Sequence, residues 1–340
     1  MNAIITVLLT LLMFGIIIFA HEFGHLLCAK KCHIYVEEFA VGMGPKLFSF
    51  HKGETQYTLR LLPIGGYCKM PGEDGESEHP NGFDKKSVPQ RMLVVAGGAL
   101  FNFIFAILLF IIAYMALGTP VNDARIGEVT EGMPAATAGM MAGDEITAIN
   151  GKAIDTWEEA VTMINANEGN VLNFTVNRDG KTVEMQITPQ LSEDGTQSVI
   201  GIVRDSERLS LFGAIGKGFQ QTYDLTKLIL VSLFDMVTGQ ADVELAGPVG
   251  VGQMVGQVAH YGLLNFIIFI AAISVNLGVV NLLPLPALDG SRLVFLAIEG
   301  LRGKPVSAQV EGTIHFVGFV LLMGLMVVIT YFDVSRLIGS

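Results

Sequence analysis

Four long apolar runs constrain this chain more than anything else in it: residues 1–28, 92–117, 263–288 and 314–332. The last three contain no Asp, Glu, Lys or Arg, and the first contains none before Glu22. Each is near or above the ~20 residues that a helix needs to cross a hydrocarbon core. The expected fold class is therefore a polytopic α-helical membrane protein with four transmembrane helices. A hydrophobic content of 51 % in 340 residues agrees. The first run is not read as a cleaved secretory signal, because no Lys or Arg precedes it and it is long for an h-region.

The first run ends in His21-Glu22-Phe23-Gly24-His25. Ionisable residues inside a span cost ~2.5–3.5 kcal/mol each on insertion scales and persist mainly where they have partners or a function. On a helix the two histidines are four residues apart and share a face, and Glu22 falls in the same broad arc. This is the H-E-x-x-H zinc pattern, in which both histidines ligate Zn2+ and the glutamate is the general base. Cys28 and Cys32 lie one helical turn apart near the histidines, but free cysteine often packs as a small hydrophobe, and they are not read as ligands.

Charge assigns the sides of the membrane. Loop 29–91 carries nine Lys/Arg, and loop 289–313 adds Arg292, Arg302 and Lys304. Segment 118–262 has eight Lys/Arg against nineteen Asp/Glu, which accounts for the whole net charge of −11. By the positive-inside rule the two basic loops face the cytoplasm and the acidic segment faces out. That acidity argues against nucleic-acid binding.

Loop 29–91 is expected to be β-rich, with strand-like pieces at 38–41, 46–50 and 56–61 and a hairpin turn at Lys52-Gly53. Such a sheet either lies on the membrane surface or dips into protein-lined space beside the metal and offers an edge strand at 41–61 to an extended substrate. Residues 122–190 read as a small soluble domain with tight turns at Asn150-Gly151 and Asp179-Gly180. The run from Pro134 through Gly143-Asp144-Glu145-Ile146 to Ile149-Asn150-Gly151 resembles a PDZ domain in the permuted bacterial arrangement. The resemblance implies a groove for a peptide ligand between strand 126–130 and helix 156–166, or a domain that acts as a steric filter. Residues 208–258 are expected to be an amphipathic extracytoplasmic segment in contact with membrane lipid.

A catalytic zinc usually has three protein ligands and keeps a fourth position for water. The third span ends in Asn281-Leu-Leu-Pro284-Leu-Pro286-Ala-Leu-Asp289-Gly290. The first and third spans run in the same direction, so Asp289 reaches the depth of the histidines and is the candidate third ligand. Pro284 and Pro286 break the helix there. Asn102 in the second span either packs between helices with Gly97-Gly98-Ala99 or faces the active-site cavity.

H-E-F-G-H in a first span, a PDZ-like insert between the second and third, and N-L-L-P-L-P-A-L-D-G in the third resemble the site-2 protease family of intramembrane zinc metalloproteases, in its bacterial branch with the regulator-of-sigma-E protease. The resemblance implies that His21, His25 and Asp289 hold zinc, that Glu22 is the base, and that Asn281 positions substrate; Asn102, Pro284 and Pro286 are the further substrate-contact candidates. It also implies a multi-pass protein of the bacterial inner membrane with its active site towards the cytoplasm. Its expected partners are single-span membrane proteins, such as anti-sigma factors already shortened outside, or leftover signal peptides. Well-known Gram-negative members carry two PDZ domains in tandem, where this chain has one.

Overall fold

The computed structural model describes residues 3–73, 75–192, 195, 197–240, 246–260 and 262–339. It divides into two compact units, residues 1–113 with 213–340, and residues 114–212. In the first unit, helices α1 (Ala3–Lys31) and α2 (Val88–Leu117) are joined through a β-hairpin, β1 (Glu38–Lys52) and β2 (Thr55–Lys69). Four of the described helices are long and apolar enough to cross a membrane.

α1 and α2 come into backbone contact because both carry glycine at the crossing. A Cβ on Gly24 would lie 2.2 Å from the Gly97 carbonyl oxygen, and one on Gly97 would lie 2.9 Å from the Gly24 oxygen. Without a hydrophobic drive between helices in lipid, such small-residue contacts carry the association. α2 starts four residues before the expected run, at Val88, with Pro89 inside the first turn where its missing N–H costs nothing.

The hairpin runs longer than the expected strands. Residues 38–41 are flanked on both sides, by 56–59 and by 66–69, while 46–52 pair with 55–60. The turn falls at Gly53, which has φ +63°. Glu38 ties the layers together: Tyr67 Oη donates to it at 2.8 Å, and Arg60 and Lys46 lie 3.2 and 3.4 Å away. Towards its tip the hairpin exposes Met43, Leu47, Phe48, Leu61 and Leu62, an apolar surface suited to lipid rather than water.

In the second unit, a four-stranded sheet contains the antiparallel neighbours β4 (Glu145–Ile149), β5 (Leu172–Arg178) and β6 (Lys181–Ile187). Leu172, Phe174 and Val176 alternate inwards onto Ile146 and Ile149, and the expected Asn-Gly and Asp-Gly turns have positive φ at both residues. Helix α3 (Trp157–Asn165) opens on a capping box between Thr156 and Glu159. The unit extends beyond the expected 122–190, because β3 (Ile126–Val129) pairs with β7 (Ile202–Arg204). This is the inserted α/β unit whose sequence resembles a PDZ domain.

The chain then re-enters the first unit. The expected amphipathic stretch 208–258 is two helices, α4 (Leu211–Thr238) and α5 (Pro248–His260), with 241–245 outside the described residues. The third span corrects an expectation. It does not run to residue 288: α6 (Leu263–Leu282) stops two residues before Pro284, and Asp289 begins a separate helix, α7 (Asp289–Arg302), within what was expected to be a loop. Helix α8 (Ala308–Gly339) follows.

In the PDZ-like unit, Asp144 is buried and takes both Nε and Nη2 of Arg178 at 2.7 Å. Burial pushes its carboxyl up, but the Arg178 guanidinium and the Met141 N–H outweigh it and hold it below the ordinary value of 3.8. The stabilisation is therefore complete above that value and is lost as the pH falls below it. Asp144→Ala is expected to destabilise this unit by about 3 kcal/mol at neutral pH. Urea unfolding of the full chain, followed by the fluorescence of its single tryptophan, Trp157, measures it.

Candidate metal centre

His21 and His25 sit one turn apart near the end of α1, on the side that faces α2 and the start of α7. Their Nε2 atoms are 3.2 Å apart. Asp289 Oδ2 lies 3.3 Å from the first and 3.4 Å from the second. That oxygen is buried and has no hydrogen-bond partner among the described residues. Zinc bonds of about 2.0–2.1 Å require tetrahedral donors roughly 3.3 Å apart, so this triangle fits the ion. Among the described residues these three side chains form the one group able to hold a metal.

Each imidazole is oriented from its far side by α2. His25 Nδ1 is 2.9 Å from the Val94 carbonyl oxygen, which can only accept, so Nδ1 carries the proton and Nε2 presents its lone pair inward. The Asn102 amide lies 3.2 Å from His21 Nδ1. The atom placed there is Nδ2, while Oδ1 is buried without a hydrogen-bond partner among the described residues; a flip of the amide lets Oδ1 accept Nδ1–H and leaves Nε2 free in the same way. Ser274 Oγ on α6 donates to the backbone carbonyl oxygen of Asn102 at 2.9 Å, tying α6 to α2 at this level. Asn102 is fully buried, so the structure places it behind a histidine rather than on the cavity wall.

Glu22 lines the same cavity of about 660 Å³ as His21, His25 and Asp289, and residues 66–70 of the hairpin form its other wall. Gly66 permits that approach, since a Cβ there would come within 3.0 Å of Glu22 Cγ. The strand at the cavity is thus 66–69, not the 41–61 stretch expected from sequence. Asn281, Pro284 and Pro286 are not among the lining residues; Pro286 packs on Gly318 of α8. Sequence reasoning missed Val94, Gly66, Ser274 and Gly98. Gly98 carried a signal, as half of a Gly-Gly pair in the second span, but its use was not readable. A Cβ at Gly98 would lie 2.4 Å from His25 Nε2 and 2.8 Å from His21 Nε2.

Two histidines, a carboxylate and a neighbouring glutamate around a cavity between apolar helices describe a membrane-embedded metallohydrolase. The description Peptidase family M50 matches residues 9–325. The zinc metalloprotease RasP of Oceanobacillus iheyensis is 34 % identical over 98 % of this chain and 99 % of its own. The regulator of sigma-W protease RasP of Bacillus subtilis is also 34 % identical, over 98 % and 99 %. A putative zinc metalloprotease of Clostridium perfringens is 38 % identical over 96 % and 98 %. Among solved structures, the PDZ domain of an SdrC-like protein from Listeria innocua is 24 % identical, covering 26 % of this chain and 100 % of that one with a TM-score of 0.23. The chain belongs to peptidase family M50, the site-2 proteases. It is a multi-pass intramembrane zinc metalloprotease.

Gly98→Ala is expected to weaken zinc binding by on the order of tenfold or more, because the methyl group would displace both rings. Metal content of the purified protein after dialysis checks this, with Gly216→Ala, a helical position with nothing within 4 Å of the added Cβ, as the control.

Proposed function

We propose that this protease hydrolyses peptide bonds within or next to the transmembrane segments of single-span membrane proteins, with His21, His25 and Asp289 holding zinc and Glu22 as the base. The observation that carries the reading is the convergence of those four side chains on one cavity, carried by apolar helices. The proposed substrates are anti-sigma factors already shortened outside, or remnant signal peptides. The name of the Bacillus relative, a regulator of sigma-W protease, supports the first class.

Zinc held by His21, His25 and Asp289 would supply Lewis-acid chemistry, acidifying a water molecule and polarising the scissile carbonyl. Glu22 takes the water's proton and passes it to the leaving amine. A helical substrate hides its carbonyls in its own hydrogen bonds, so it must unwind first. Residues 66–69 pair with 38–41 on one side and line the cavity on the other, and an extended substrate added there keeps its backbone hydrogen-bonded at membrane depth. Asn102 acts through His21. Pro284 and Pro286 shape the break that delivers Asp289, Asn281 lies in the last turn of α6 just before it, and all three are proposed to contact substrate on its way into the cavity, Asn281 through its side-chain amide.

We further propose the bacterial cytoplasmic membrane as the location, with the active site towards the cytoplasm and the PDZ-like domain outside, as the loop charges indicate. The PDZ-like domain then meets a substrate's outer remnant, as a peptide-binding groove or as a filter.

Cleavage of a purified single-span substrate tests the mechanism. Glu22→Gln should lose about 10²–10⁴-fold in rate while keeping its zinc; a variant that cleaves like the parent removes Glu22 from the chemistry. Sidedness is read by cysteines placed at exposed sites. In intact cells Lys181→Cys should react with an impermeant maleimide and Ser87→Cys should not, and the reverse pattern inverts the topology.

A further inference from the structure

Asp289 reaches the candidate metal centre from a short and awkward piece of chain. Between the end of α6 and the start of α7, residues 283–288 form two tight turns, closed by Leu285 N–H to Leu283 O at 2.7 Å and Leu288 N–H to Leu285 O at 3.2 Å. Pro284 and Pro286 have no N–H to offer, and Ala287 is held at φ +71°, in the left-handed region that a residue with a Cβ seldom adopts. Such a conformation persists only where its surroundings over-determine it. Two residues later the chain delivers the carboxylate.

The restraint comes from α8. His315 Nδ1 accepts the Ala287 N–H at 3.1 Å. Accepting there requires the neutral ring with its proton on Nε2. Three residues on, and so on the same face of α8, Gly318 makes room for the ring of Pro286; a Cβ at 318 would lie 2.1 Å from Pro286 Cβ. The ring of Phe295 on α7 stands 5.8 Å from the His315 ring at 60° and limits its rotation. One imidazole therefore touches the break, the helix that begins with Asp289 and the last span. It also lines the catalytic cavity.

We infer that His315 is a positioning residue: by accepting the Ala287 N–H it holds the left-handed turn that sets Asp289 against His21 and His25. The inference rests on Asp289 being the third ligand. It assigns α8, which gives no side chain to the candidate ligand set, a part in building the metal centre.

The test uses the full-length protein in detergent with three variants: His315→Leu, of similar bulk without an acceptor; His315→Asn, whose Oδ1 can stand where Nδ1 stood; and Asp289→Asn. Amide hydrogen exchange of residues 283–289 is measured in the metal-free protein, and zinc affinity by competition with a chelator. His315→Leu should lose exchange protection at Ala287 and bind zinc about tenfold more weakly. His315→Asn should stay close to the parent in both, which bulk alone would not explain. Asp289→Asn should lose zinc and keep the protection at Ala287. The inference is overturned if His315→Leu leaves protection and affinity unchanged, or if His315→Asn is as damaged as His315→Leu. Zinc retained by Asp289→Asn sinks the ligand reading instead, and with it the link from His315 to the metal, while the exchange data still report on the turn.

Discussion

The structure depends on how closely α1 approaches α2. Gly24, Gly97 and Gly98 bring no side chain of their own to that crossing, so two imidazoles can lie directly on the backbone of the neighbouring helix. Any other residue at these positions would push the helices apart and carry the histidines away from the Val94 carbonyl and the Asn102 amide. The closeness is what turns a two-histidine face into an oriented pair, each ring with its outer nitrogen held and its inner nitrogen directed at the cavity.

An apolar surrounding makes this arrangement demanding. Polar groups left without partners in a low-dielectric interior cost several kcal/mol each, so a polar cluster at membrane depth has to be closed on itself. Here the Val94 carbonyl lies behind His25 and the Asn102 amide behind His21, and the inner atoms of His21, His25 and Asp289 converge on one point able to hold a cation. The break after α6 serves the same end from the opposite direction. It releases a carboxylate into the site and spends its strain in a turn that α8 supports.

Much of this was legible beforehand because it rests on local rules. Apolar run length marks spans, a four-residue spacing puts two histidines on one face, and Asn-Gly and Asp-Gly mark turns; four apolar helices cover those runs, the third ending early at Leu282, and the tight turns of the PDZ-like unit fall at the marked pairs. What was misplaced follows from rules that are not local. The reach of β2 to Lys69 depends on 38–41 finding partners on both sides, and only that pairing brings 66–69 to Glu22. Sequence alone allows Asn102 either a packing or a cavity position, and its place behind His21 depends on the rotation of α2 about its own axis. The α7 helix was hidden because a polar stretch after two prolines reads as a loop.

The sequence by itself determined the chemistry available to this protein and the medium it works in. The donor types, their spacing on α1, the carboxylate beside them, the spans and the inserted domain are all consequences of residue identity and short-range periodicity. Only the tertiary structure decided that His21, His25 and Asp289 meet at 3.2–3.4 Å, that glycines let them do so, and that a histidine more than twenty residues further on holds the turn in place. The reason is physical: contacts between distant segments are set by packing and by the need to pair buried polar groups, and neither quantity is a property of any one stretch of chain.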